Sequence, residues 1–238
     1  MNPEEKVVRN YFDALDAGSV VFEPDGNIPP DFSIDGSIGV EVRRLNENYF
    51  GGSEAEGLEE LSIPLWKDLK AVLADFDECY NGNTYGVFLE YERPSMGTGQ
   101  DTADAVRDAL EDFLDSGGAE TRKTLNPSKN LELEVVPISS SKGEVFLLAG
   151  GMDWNRGGWT MGTYVENISH CLQEKRNKVA SHLHRYDSWW LVLVDRIKAW
   201  SSDEEEVSQI RSEIPGLEIF DRLIVINQKG DTRLDANT

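Results

Sequence analysis

The chain is poor in cysteine, histidine and basic residues and has no long apolar run, and each shortage excludes something. Cys79 and Cys171 are the two cysteines of 238 residues, and they match no zinc-ligand spacing. Reduced core thiols in a cytoplasmic protein are the expectation. No apolar run approaches the ~20 residues that a membrane helix requires. The opening stretch MNPEEKVVRNYFDAL is acidic and amphipathic, without the basic-then-apolar layout of a signal peptide. His182-Leu183-His184 lacks the i, i+4 spacing of a helical metal pair and His170 is isolated, so all three histidines read as structural or surface residues. No Walker loop, GxGxxG, GxSxG or HExxH occurs, and Gly97-Thr98-Gly99 reads only as a turn.

Basic side chains number 23 against 44 acidic ones, a formal net charge of −21. That balance speaks against a nucleic-acid partner, because phosphate binding is driven by basic surface. One reconciliation is a salt-rich cytoplasm. At molar salt the Debye length falls to ~3 Å, self-repulsion is screened, and binding depends on local bridges rather than long-range steering. A halophilic protein is therefore expected to melt at a higher temperature in molar KCl than at low KCl, and equal melting points would remove this reading.

What is present argues for a folded α/β protein. The hydrophobic fraction is 39%, with six Trp, and the length suits one α/β domain over 1–238. Helical spacing marks Glu4–Ala17, Leu58–Tyr80, Asp101–Asp115, Thr163–Tyr186 and Asp203–Ser212. Strand patterns mark Thr84–Glu92, Leu131–Ile138, Glu144–Ala149, Trp189–Val194 and Arg222–Asn227. Asn46–Gly57, Arg93–Gln100 and Gly150–Gly158 read as loops. The mixture predicts a mixed sheet flanked by helices.

The most informative segment is Ile28–Leu45, IPPDFSIDGSIGVEVRRL, which reads as a β-hairpin turning at Asp35-Gly36. A two-residue loop would oppose Asp31 to Val40 and mix polar with apolar side chains on both faces. A three-residue loop, Asp35-Gly36-Ser37, pairs Ile34 with Ile38 and Phe32 with Val40. One face then holds Ile34, Ile38, Phe32, Val40 and Val42; the other holds Asp31, Ser33, Gly39, Glu41 and Arg43. Segregation of the apolar face selects this register and sets Asp31 opposite Glu41, with Cβ atoms roughly 5 Å apart. Like charges so opposed are destabilising without a cation. Two readings stay open: a divalent-metal site, or solvent-facing acids balanced by Arg43 and Arg44.

The helix Thr163–Tyr186 has an apolar stripe at Val165, Ile168, Leu172, Val179, Leu183 and Tyr186, and Lys175 falls inside it with Lys178 on its flank. Lys175 either snorkels at a helix–sheet boundary or aims a cation at the acidic hairpin face. In Gly150–Thr160, Trp154, Arg156 and Trp159 stand among glycines. Trp154 and Arg156 could stack on bases or sugars, the alternative being a loop folded back on the core.

A helix with Glu4 or Glu5, then Pro30-Asp31, then Glu41-Val42-Arg43, resembles the PD-(D/E)xK nuclease superfamily, the restriction-endonuclease-like fold. The "PDF…IGVEV" pattern and the later Lys175, Lys178, Tyr186 and DSWWLVLVD are similar to divergent members. The resemblance covers the first ~50 residues and the 165–195 region. It implies a Mg²⁺-dependent (or Mn²⁺-dependent) nuclease acting on DNA or RNA. Asp31, Glu41 and the Val42 carbonyl would bind the ion, with Glu5 or Glu4 helping through a water, and Lys178 would join Trp154 and Arg156 in meeting substrate. Arg43 stands where the family has lysine. Arginine cannot act as a general base, so Arg43 could only neutralise phosphate charge, while Lys175 could supply the missing ammonium. A catalytically inactive binding protein on the same fold is the alternative, and a homodimer would suit double-strand cleavage.

Overall fold

The computed structural model describes all residues except 81, 95–98, 140–142, 157–159, 201–202, 218 and 238. Gly97 and Thr98 of the expected turn and Trp159 of the glycine-rich loop lie outside the described residues. No boundary was visible in the sequence within 1–238, yet the backbone gathers into two compact units. Residues 1–47 with 158–238 form the first, and residues 48–157 form the second. Among the described residues no helix is long and apolar enough to cross a membrane.

The chain opens with α1 (Pro3–Ala14), β1 (Val20–Phe22), β2 (Phe32–Ile34) and β3 (Ile38–Leu45). The second unit then runs through β4 (Asn48–Tyr49), β5 (Glu56–Gly57), α2 (Leu58–Asp75), β6 (Thr84–Tyr91), α3 (Gln100–Asp115), β7 (Lys123–Ser128), β8 (Leu131–Ile138) and β9 (Phe146–Asp153). The chain returns to the first unit with α4 (Thr160–Val179), β10 (Ser188–Asp195), α5 (Glu204–Glu213), β11 (Arg222–Ile226) and β12 (Thr232–Asn237). The protein is therefore mixed α/β, but with two mixed sheets in place of the one central sheet expected.

In the first unit a six-stranded sheet has the order β1-β2-β3-β10-β11-β12. Its outer pairs are antiparallel, while β3–β10 and β10–β11 are parallel. Side chains alternate between faces because the strand period is two. Val40, Val42, Val192, Val194, Ile224 and Ile226 meet Val8 and Phe12 of α1. On the other face Leu191, Leu193, Leu223 and Val225 meet Tyr164, Ile168 and Leu172 of α4. A sheet covered on both faces explains the near-continuous apolar run of β10. The helix α1 begins where Asn2 and Glu5 close a capping box, each side chain taking the other's backbone N–H. At the far end of β10 the buried Asp195 accepts from the Ile197 N–H at 2.9 Å and from the Tyr164 hydroxyl at 3.1 Å.

In the second unit the sheet order is β7-β8-β6-β9, with β6–β8 antiparallel and β6–β9 parallel. Tyr85, Val87, Leu89 and Tyr91 point to one face, against Leu65, Leu69 and Val72 of α2 and Leu110 and Phe113 of α3. The segment expected as a loop from Gly150 instead continues β9, with Gly150 opposite Phe88 and Gly151 opposite Leu89. A Cβ on Gly151 would run into the Leu89 carbonyl oxygen and the Trp66 ring, so glycine is what lets the strands close here. The polar stretch after Glu47 likewise carries a short pairing, Asn48 with Gly57 and Tyr49 with Glu56.

Candidate functional site

The hairpin folds in the register that its apolar face selects. Ile34 pairs with Ile38, Ser33 with Gly39 and Phe32 with Val40. The loop is Asp35-Gly36-Ser37, and Asp35 (φ 50°) and Gly36 (φ 69°) both take the left-handed backbone that Asp and Gly tolerate. Strand pairing stops one residue short of Asp31. There the Asp31 carboxylate replaces a strand partner and accepts the Val42 N–H at 2.7 Å. In a strand, one residue's N–H and C=O leave on the same side, so the Val42 carbonyl also faces the side where β2 has ended.

The helix α4 crosses the Glu41 face of the sheet and buries Ile168, Cys171, Leu172, Lys175 and Val179, with Lys175 inside the stripe as expected. The Lys175 Nζ lies 2.6 Å from Glu41 Oε2 and 3.5 Å from Asp31 Oδ2. One turn further on, the Lys178 Nζ lies 2.9 Å from Glu41 Oε2 and 3.4 Å from Asp31 Oδ1. Two carboxylates and two ammoniums thus form a charge-balanced tetrad. Its depth is uneven: the side chain of Glu41 is 0% exposed, Lys175 8%, Asp31 21% and Lys178 43%. Glu41 Oε2 serves both lysines, while Glu41 Oε1 is buried with no hydrogen-bond partner.

Burial raises the Glu41 carboxyl above its ordinary range, the Lys175 charge pulls it back, and the Asp31 charge raises it again. For Lys178, burial lowers the ammonium, but hydrogen bonds and charge from Glu41 and Asp31 outweigh it and leave the group raised. Cys171, on the same helix, is pushed up to about 12 by burial, as befits an inert core thiol.

The structure therefore brings together Asp31, Glu41, Val42, Lys175 and Lys178. The other expected members of the first unit are engaged elsewhere. Arg43 shares the Glu41 face but donates to Glu174, with Nη2 at 2.7 Å and Nε at 3.1 Å. Glu174 precedes Lys175 on α4, so its role was not visible until the helix was set against the strand. Glu5 is taken up by the capping box of α1, and Glu4 pairs with Arg196 at 2.8 Å. Among the described residues no group of three acidic, His or Cys side chains is gathered for a metal, so the helical acid expected to help is not part of the cluster. Trp154 and Arg156 belong to the second unit. Trp154 is 59% exposed, so this side chain does not pack into the core. It borders a cavity of about 340 Å³ lined also by Glu90, Glu92 and Glu132, a setting hostile to a phosphate backbone.

The sequence reading missed an extension of the tetrad's face. Ser33 is buried, and beyond it the Tyr186 hydroxyl donates to Asp25 at 2.9 Å while Arg185 pairs with Asp25 at 2.7 Å. Burial and the Asp25 carboxylate push the Tyr186 phenol up to about 12. Gly39 makes room here, since a Cβ would stand 3.2 Å from the Trp189 and Tyr186 rings.

Compared with known protein families, with curated proteins and with solved structures, the chain matches none.

Proposed function

We propose that the first unit is a Mg²⁺-dependent phosphodiesterase of the restriction-endonuclease-like class, hydrolysing DNA or RNA. The observation that carries the reading is the Asp31–Glu41 pair with the Lys175 ammonium delivered from α4 to the place that Arg43 leaves empty by turning to Glu174. The donor set suits a hard cation, which favours carboxylate and carbonyl oxygen. Asp31, Glu41 and the Val42 carbonyl would hold it, and the unpartnered Glu41 Oε1 is an oxygen in want of a ligand. Bound there, the ion supplies Lewis acidity, making a water nucleophilic at neutral pH and offsetting phosphate charge.

The protein's own residues do the rest. Asp31 is fixed by the Val42 N–H at 2.7 Å, and Glu41 is fixed by the buried Lys175 ammonium at 2.6 Å, so both carboxylates are held in place before substrate arrives. Hydrolysis of a phosphodiester builds negative charge on the phosphoryl oxygens and the leaving oxygen. Lys175 provides a buried positive charge beside them, where low dielectric makes it effective. The role expected of Arg43 passes to Lys175, and Arg43 with Glu174 ties β3 to α4.

A second reading is favoured by the charge balance itself. Two ammoniums already neutralise the two carboxylates, which suits a binding protein on the same fold that neither takes up metal nor cleaves. A calorimetric titration with Mn²⁺, paired with cleavage assays on single- and double-stranded substrates at low and high salt, separates the two. For the enzyme, Asp31→Asn is expected to abolish the binding heat and lower cleavage by at least about 10²-fold. Wild-type protein that gives no binding heat and no cleavage rules out the metal-dependent enzyme and leaves the second reading.

A further inference from the structure

We infer that Lys178 is an exchangeable counter-ion of the Asp31–Glu41 pair, holding the carboxylates when no divalent cation is there and released toward solvent when one binds. This rests on the reading of the pair as a divalent-cation site, and it adds a device that regulates access to that site.

The two lysines of the tetrad are not equivalent. Lys175 is 8% exposed and lies in the buried stripe of α4 with Ile168, Leu172 and Val179. Its stem has no route out without unpacking the helix. Lys178 is 43% exposed and reaches the same Glu41 oxygen from the last turn of α4. A lysine stem is flexible and its ammonium is readily hydrated, so this side chain can leave with the helix in place. The carbonyls of that last turn offer a released ammonium a nearby alternative partner.

Charge balance says that it must leave. With both ammoniums in place the tetrad is neutral, and adding a divalent cation would put a net charge of two into a site whose centre is fully buried. Uncompensated charge in such a place is costly. Release of Lys178 cuts that excess and leaves Lys175 as the one ammonium on Glu41 Oε2, beside the buried, unpartnered Oε1. Arg43 cannot take over the same position, because Glu174 holds it by two nitrogens. The released ammonium then stands at the solvent edge of the metal site, parted from Asp31 and Glu41, with Glu174 one helical turn before it on α4. It is thereby available to an anionic ligand only once the metal is in, which orders the two binding events in a protein whose net charge otherwise repels polyanions.

The test is a Mn²⁺ titration by calorimetry on the full chain at low salt, comparing wild type, Lys178→Gln, Lys178→Arg and Asp31→Asn, with melting curves to show that each is folded. Lys178→Gln is expected to bind Mn²⁺ about tenfold more tightly than wild type, the effect of removing one competing charge near the surface. Lys178→Arg keeps the charge and is expected to stay at or below wild-type affinity. In molar KCl the advantage of Lys178→Gln is expected to shrink. Equal or weaker affinity in Lys178→Gln, with wild type binding and Asp31→Asn silent, overturns the exchange while leaving the metal site standing. Silence in all four proteins overturns the metal site and the exchange together.

Discussion

Lys175→Met is expected to destabilise the protein by about 3 kcal/mol at neutral pH, the low end of the ~3–5 kcal/mol for breaking one side of a buried ion pair. The low end applies because Lys178 continues to pair with Glu41 at 2.9 Å. The substitution conserves the stem in the α4 stripe, so the loss reads the charge and not the packing. It leaves a carboxylate that is 0% exposed with one half-exposed partner. Removing the Lys175 charge takes away the main influence that lowers the Glu41 pKa, so burial raises it further. A carboxyl whose folded pKa lies above its unfolded value takes up a proton in the native state first. Native stability therefore falls as pH rises from the ordinary value of 4.5 toward the raised one. The deficit of the variant is thus smallest in acid and grows toward neutrality. Urea unfolding in mildly acidic and in neutral buffer measures it, and a deficit that does not change with pH would mean that the loss is not electrostatic.

Arg93→Met is expected to cost the second unit about 3–5 kcal/mol. Arg93 is 2% exposed and its partner Asp153 7%, with Nη1 at 2.9 Å from both carboxylate oxygens. Its Nη2 also donates to the Leu58 carbonyl at 2.9 Å, which ties the start of α2 to the end of β6. Methionine takes the counter-charge from a buried carboxylate, which keeps the Asn155 N–H at 3.0 Å and the Tyr91 hydroxyl, and removes one donor from the Leu58 carbonyl. The double variant Arg93→Met with Asp153→Leu removes both charges and is expected to recover most of the loss, since a buried pair replaced as a whole by apolar side chains is often near neutral. Urea unfolding of the three proteins checks this. A double variant no better than the single one would place the cost in the Leu58 contact instead.

The parts legible in the sequence are those where one physical pattern has one solution. The hairpin register follows from Phe32, Ile34, Ile38, Val40 and Val42 needing a common face, and the pairing realises it. Lys175 could be placed because it breaks an apolar stripe of fixed period, and it is buried where that stripe puts it. The strand Leu131–Ile138 was bounded correctly by its alternation. Two of the edge strands left no such trace. β7 (KTLNPS) and β12 (TRLDAN) are polar and partly exposed, as edges are, so no period-two signal marks them. Gly150 and Gly151 read as loop because glycine signals both a turn and a close strand approach. The family resemblance cast Glu5 as a metal acid, but Asn2 three residues earlier makes it a capping residue. Arg43 was legible as the odd residue of the motif, whereas its capture by Glu174 depends on how α4 lies on the sheet.

The second unit enters the chain between β3 and α4, and this sets the chain entropy of assembling the tetrad. Asp31 and the Val42 amide that fixes it are 11 residues apart, so the acidic half of the tetrad forms by local closure. The lysines come from at least 134 residues away, a loop whose closure entropy is paid only when α4 docks. Without α4 in place, no lysine of that helix offsets the like charges of the two carboxylates. Compaction of residues 48–157 within that loop shortens its effective length. The inserted unit thus lowers the entropy cost of bringing the lysines to the carboxylates, through chain connectivity alone.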